Sequence, residues 1–66
     1  MDKEQVAAEL QKRGMNVEVV SGIVMLYYDP GKYEEQMEQF RMALLELNYH
    51  CSYGCKVFDK KYDERN

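Results

Sequence analysis

His50, Cys51 and Cys55 carry the most reactive side chains in this sequence, and they lie within six positions of one another. A structural zinc site needs four ligands, commonly as two close pairs at tight spacing. Here there are three, a neighbouring pair and a Cys-x-x-x-Cys step, with no second pair elsewhere. A redox dithiol usually takes the shorter Cys-x-x-Cys spacing. A cysteine nucleophile needs a base beside it and a third group to orient that base. His50 is the sole histidine, and in an extended segment its side chain and that of Cys51 point to opposite faces. Residues four apart in a strand are separated by about 13 Å, beyond the ~4.4–6.8 Å that a disulfide spans between Cα atoms. Both cysteines therefore read as free thiols serving as small core hydrophobes. No catalytic, metal-binding or cofactor-binding residue is expected.

The acidic residues lead to the same place. Glu34, Glu35, Glu38 and Glu46 fall mostly on the polar side of a helical pattern, where solvation is their ordinary fate. Glu38 and Arg41 are attractive near neighbours there, and Glu34 and Glu38 repulsive ones. Gly31 and Gly54 are isolated and build no phosphate-binding loop. Ligand pockets commonly need ~300 Å³ or more, which a core of this size can hardly spare. No small-molecule substrate is evident, and the chain does not read as an enzyme.

Five elements must position these residues. Asp2 to Arg13 reads as a helix, with Asp2 and Gln5 in a capping-box pattern and Val6, Ala7 and Leu10 as its apolar stripe. Gly14 follows where a left-handed residue is expected. Met15 to Val20 alternates as a half-buried strand, and Ser21-Gly22 separates it by two residues from Ile23-Val24-Met25-Leu26-Tyr27-Tyr28. That spacing is a hairpin signal. The second run is apolar at six consecutive positions, so both of its faces want cover, as in a central strand. Asp29 suits a helix N-cap and Pro30 the first helical position. The stripe Tyr33, Met37, Phe40, Leu44 and Leu47, joined by Ala43, then predicts a helix ending near Asn48. His50 to Phe58 alternates again, with Cys51, Tyr53, Cys55 and Val57 on the expected core face. Residues 59–66, a mixed-charge tail, are expected to fray.

A two-residue loop pairs Val20 with Ile23, Val19 with Val24, Glu18 with Met25 and Val17 with Leu26. One face then carries Val17, Val19, Val24, Leu26 and Tyr28, the core. The other carries Glu18, Val20, Ile23, Met25 and Tyr27, with Lys56 of the last strand beside them. These six residues form the candidate interaction surface, because an apolar and aromatic patch left uncovered marks a contact site. The fold class is α+β, in the order α-β-β-α-β over residues 1–58. Both helices should pack on one face of a three-stranded sheet, similar to a ferredoxin-like fold lacking its first strand. The strand order first-second-third is favoured over one that sets the third strand beside the first.

Composition bounds the partners. Sixty-six residues make one domain, and 45% apolar content argues against disorder. A net charge of −3 gives no basic footprint, so nucleic acid is not the expected partner. The charged start Met1-Asp2-Lys3-Glu4 is no secretory signal, and no apolar run approaches the ~20 residues needed to span a bilayer. With two cysteines, a cytoplasmic setting without membrane contact is expected. The layout and the ending Asn48-Tyr49-His50-Cys51-Ser52-Tyr53-Gly54-Cys55-Lys56 resemble small uncharacterised proteins encoded on phages and conjugative elements of Gram-positive bacteria. The resemblance implies an accessory protein and carries no activity or site residues. The leading expectation is a non-enzymatic interaction protein. It would use its second sheet face or an edge strand to hold a protein partner or a second copy as a homodimer. Stacking of single-stranded nucleic acid on the same face is the alternative.

Overall fold

The computed structural model describes residues 1–59. Of the expected tail, only Asp59 lies within that range. The elements are α1 (Lys3–Lys12), β1 (Val17–Val20), β2 (Ile23–Tyr28), α2 (Tyr33–Glu46) and β3 (Tyr53–Val57). The sheet order is β1-β2-β3, with β1 antiparallel and β3 parallel to β2. The most apolar run is thus the central strand.

Local chemistry explains the boundaries. The Asp2 carboxylate accepts from the Gln5 N–H, and the Gln5 side chain accepts from the Asp2 N–H, both at 2.9 Å. At its other end α1 closes with Gly14 at φ +88°. There the Met15 N–H reaches the Leu10 carbonyl and the Gly14 N–H reaches that of Gln11. The end of α2 repeats the arrangement with Asn48 at φ +56°, the Tyr49 N–H on Leu44 and the Asn48 N–H on Leu45. Both ends are Schellman motifs, each folding an apolar residue back over the last turn. Ser21 and Gly22 have φ of +51° and +77°, the two left-handed residues of a type I′ hairpin turn. That turn sets the register Val17↔Leu26, Glu18↔Met25, Val19↔Val24 and Val20↔Ile23, as the spacing predicts.

The start of α2 differs from expectation. Asp29 and Pro30 do not begin the helix; its N-cap is Lys32, without a side-chain cap. Gly31 sits at φ +81°, which a helix cannot contain, and the Lys32 N–H closes on the Asp29 carbonyl at 3.0 Å. Pro followed by a left-handed Gly is the signature of a type II turn. The turn is held from α2, where the Gln36 side chain accepts from the Asp29 N–H at 2.8 Å and donates to the Asp29 carboxylate at 3.1 Å.

Both helices pack on one sheet face. The core is Val6, Ala7 and Leu10 of α1, Val17, Val24 and Leu26 of the hairpin, Met37, Phe40, Ala43 and Leu44 of α2, and Tyr49. Val19, Tyr28, Leu47 and Cys55 pack against its margin. α1 lies over β1 and β2, and α2 over β2. Arg13 and Glu46 pair across the ends of the two helices. β3 is left to the side, a placement with consequences for its side chains.

Candidate interaction surface

The structure gathers all six residues of the candidate surface on the sheet face away from the helices. Glu18 faces Met25, Val20 faces Ile23, and Tyr27 lies beside Lys56. Glu18 and Lys56 are exposed, while Val20, Ile23, Met25 and Tyr27 are half-buried. The chain provides that burial by itself. Gly54 pairs with Met25, and a Cβ on Gly54 would sit 3.7 Å from the Met25 thioether and 3.8 Å from Ile23. The two apolar side chains therefore lean across the space a β3 side chain would fill. The Tyr27 hydroxyl donates to the Glu18 carboxylate at 3.3 Å. Burial raises the Tyr27 phenol pKa, and the Glu18 charge and hydrogen bond raise it further.

The larger opening is on β3. Tyr53, Cys55 and Val57 are in register with the core positions Val24, Leu26 and Tyr28, so they face the helix side, as the alternation predicts. Yet Tyr53 remains 43% and Val57 41% exposed, and Cys55 is half-buried. Cys51 falls before the strand and is exposed. Tyr53, Val57 and Cys51 are thus not core residues, because the helices cover β1 and β2 and stop short of the outer strand. The Phe40 ring reaches out to Tyr53, edge to face at 5.8 Å. Tyr33, also expected in the core, is 46% exposed as the first residue of α2 and rests edge-on against Tyr28 at 5.0 Å.

Backbone polarity makes the same strand available. The Val24 N–H bonds to the Ser52 carbonyl and the Phe58 N–H to the Tyr28 carbonyl. The even-numbered residues of β3 therefore point their peptide groups at β2, and Tyr53, Cys55 and Val57 point theirs outward. The opposite edge is partly blunted, since the Gln11 side chain donates to the outward carbonyl of Val17 at 2.8 Å. On β3 nothing comparable occurs among the described residues.

The reactive residues do not converge. His50 Nε2 pairs with the Asn48 side chain at 2.9 Å, and both thiols are free. Among the described residues no three His, Cys, Asp or Glu side chains are placed to hold a metal ion. An open groove of about 540 Å³ between α2 and the segment that follows α1 is lined by Arg13, Met15, Glu35, Glu38, Met42 and Glu46 among others. Its lining offers carboxylates and one guanidinium but no thiol, hydroxyl or imidazole.

Sequence reasoning passed over Tyr49. It is buried at 7% exposure, and its hydroxyl donates to the Ser52 carbonyl at 2.9 Å, tying the end of α2 to the entry of β3. The available signal was an aromatic residue directly after the left-handed Asn48, the position a Schellman motif folds inward.

No family model, curated protein or solved structure matches the chain. Its function must be read from geometry. Among the described residues no helix is long and apolar enough to cross a membrane.

Proposed function

We propose that this is a small non-enzymatic interaction protein whose contact surface is the outer edge of β3. The observation that carries this reading is the coincidence of two openings on one strand. Tyr53, Cys55 and Val57 direct their N–H and C=O groups outward, and Tyr53 and Val57 leave large apolar surface beside them. An unpaired strand edge is a template for another strand, and strand addition draws affinity from main-chain hydrogen bonds and specificity from alternate side chains. Cover by protein would satisfy both openings at once.

Nucleic-acid stacking on the second face has weaker support. The Tyr27 ring is half-buried with its hydroxyl on a carboxylate, and stacking platforms for single strands are basic and open.

Val57→Pro separates the readings. It removes an outward N–H that no bond to β2 uses, and proline is tolerated on the open side of an edge strand. Immobilised wild-type protein should retain a protein that the Val57→Pro variant does not. Equal retention by both, or salt-dependent retention of single-stranded DNA or RNA that Tyr27→Ala abolishes, would overturn the assignment to β3.

A further inference from the structure

We infer that the strand seated on β3 is β3 of a second copy, antiparallel, with the two-fold axis at Cys55. This rests on reading the β3 edge as the contact surface and names its occupant. The outward residues are Tyr53, Cys55 and Val57, and an antiparallel pair centred on Cys55 sets each opposite one of the same three. Cys55 meets Cys55 of the partner, and Tyr53 meets the partner's Val57 on both sides of the axis. Each of these pairs exchanges two N–H···O=C bonds. The pairs Tyr53–Val57 lie on the helix side, where both side chains are now exposed. An aromatic residue opposite a β-branched one is among the favourable cross-strand combinations.

The charge on the other face selects this register. Centred on Cys55, Lys56 stands opposite the partner's Gly54, which has no side chain to obstruct it. Moving the axis one residue toward the C-terminus sets Lys56 against Lys56, a like-charge pair directly opposed. Moving it one residue toward the N-terminus sets Gly54 against Gly54 and Val57 against Cys51, which lies outside the strand. The Cys55 register alone joins the whole of Tyr53–Val57 to itself without opposing like charges. Two three-stranded sheets then merge into one, with helices on a common face and both β3 edges satisfied.

Sedimentation equilibrium of the full chain under reducing conditions, from micromolar to millimolar protein, tests this. The apparent mass should rise toward twice that of the chain. Val57→Pro should keep the far-ultraviolet circular dichroism of the wild type and sediment as a monomer throughout. Gly54→Glu should tighten association several-fold at low salt, because each introduced carboxylate faces the partner's Lys56, and the gain should vanish at high salt. A wild-type monomer at millimolar concentration would overturn the inference, as would a Val57→Pro variant that dimerises like the wild type. Weakening by Gly54→Glu would overturn the register, since only an axis at Gly54 opposes the new carboxylates. A monomer whose capture of a different protein still depends on Val57 would leave the β3 edge as contact surface and remove only the second copy.

Discussion

The Met25 side chain lies across Gly54, 3.7 Å from where a β-carbon would stand, and thereby closes the second sheet face at its centre. That distance is ordinary van der Waals contact, so a methyl group fits without displacing Met25. Glycine inside a strand costs roughly 0.5–1 kcal/mol relative to alanine through the freedom it loses on folding. Gly54→Ala should therefore raise stability by about that amount. A urea midpoint at or below the wild-type value would show that the methyl is not accommodated.

The hairpin turn places a serine where the backbone is left-handed. Ser21 stands at φ +51°, a region several-fold enriched in Asn and Asp and sparsely visited by other non-glycine residues. In type I′ turns Asn-Gly is the preferred pair. Ser21→Asn should stabilise by about 0.5 kcal/mol and Ser21→Val should destabilise by ~1 kcal/mol or more. Denaturant midpoints for the two variants should bracket the wild type; the same ordering is expected in the amide protection of β1.

The end of α2 makes the corresponding test for helix closure. Asn48 at φ +56° holds the turn that brings Tyr49 into the core. Glycine bears no steric penalty in this conformation, whereas a β-carbon costs roughly 1–2 kcal/mol. Asn48→Gly should be neutral or slightly stabilising, and Asn48→Ala should cost about 1 kcal/mol. Equal stability of the two variants would remove the left-handed conformation as the reason for asparagine here.

Features set by neighbours in sequence were legible before the structure. The capping box of Asp2 and Gln5, the two-residue turn at Ser21-Gly22 and the four-residue register that follows depend only on short spacings. So does the stripe through Met37, Phe40 and Leu44. That Glu18, Val20, Ile23, Met25, Tyr27 and Lys56 share one sheet face follows from register, because alternation assigns faces without regard to what covers them. Cover itself is a tertiary quantity, and there the reading failed. Tyr53 and Val57 share the core side of the sheet with Val24 and Tyr28, yet stay exposed because the helices lie over the other two strands. Pro30 also misled: with Gly31 behind it, the residue that suits a first helical position instead forms a turn. Nor does alternation show that Met25 and Ile23 would border the space above Gly54.

Phe40 measures how little stability this domain has in reserve. It has no solvent exposure and supports both the sheet and the ring of Tyr53. Phe→Ala in a core costs about 3–5 kcal/mol, while a chain this size commands only ~3–10 kcal/mol in total. Phe40→Ala should leave a substantial unfolded fraction without denaturant, seen as lost dispersion in one-dimensional proton spectra. Phe40→Leu should remain folded with a lowered midpoint. A cooperatively folded Phe40→Ala variant would mean that the β3 side of the core collapses around the cavity.

Alkaline unfolding should report on Tyr49. Its phenol is raised above the ordinary value of 10.0, first by burial and then by the nearby Cys51, and Tyr27 is raised by burial and by Glu18. In the unfolded chain these phenols ionise near the ordinary value, whereas in the folded chain they hold their protons to higher pH. The unfolded state thus binds fewer protons in that window, and stability falls as pH rises through it. Below pH 10 the contribution is complete; above it the loss grows until the folded-state phenols ionise as well. Tyr49→Phe should flatten part of this decline. At neutral pH it should cost only about 0.5–1 kcal/mol, because the hydrogen bond it removes is to a carbonyl that keeps a second donor. That donor is the Val24 N–H, 3.2 Å from the Ser52 oxygen. Urea midpoints followed from neutral pH to beyond pH 10, for wild type and Tyr49→Phe, check both statements. Parallel declines in the two proteins would show that the Tyr49 phenol ionises as freely when folded as when unfolded.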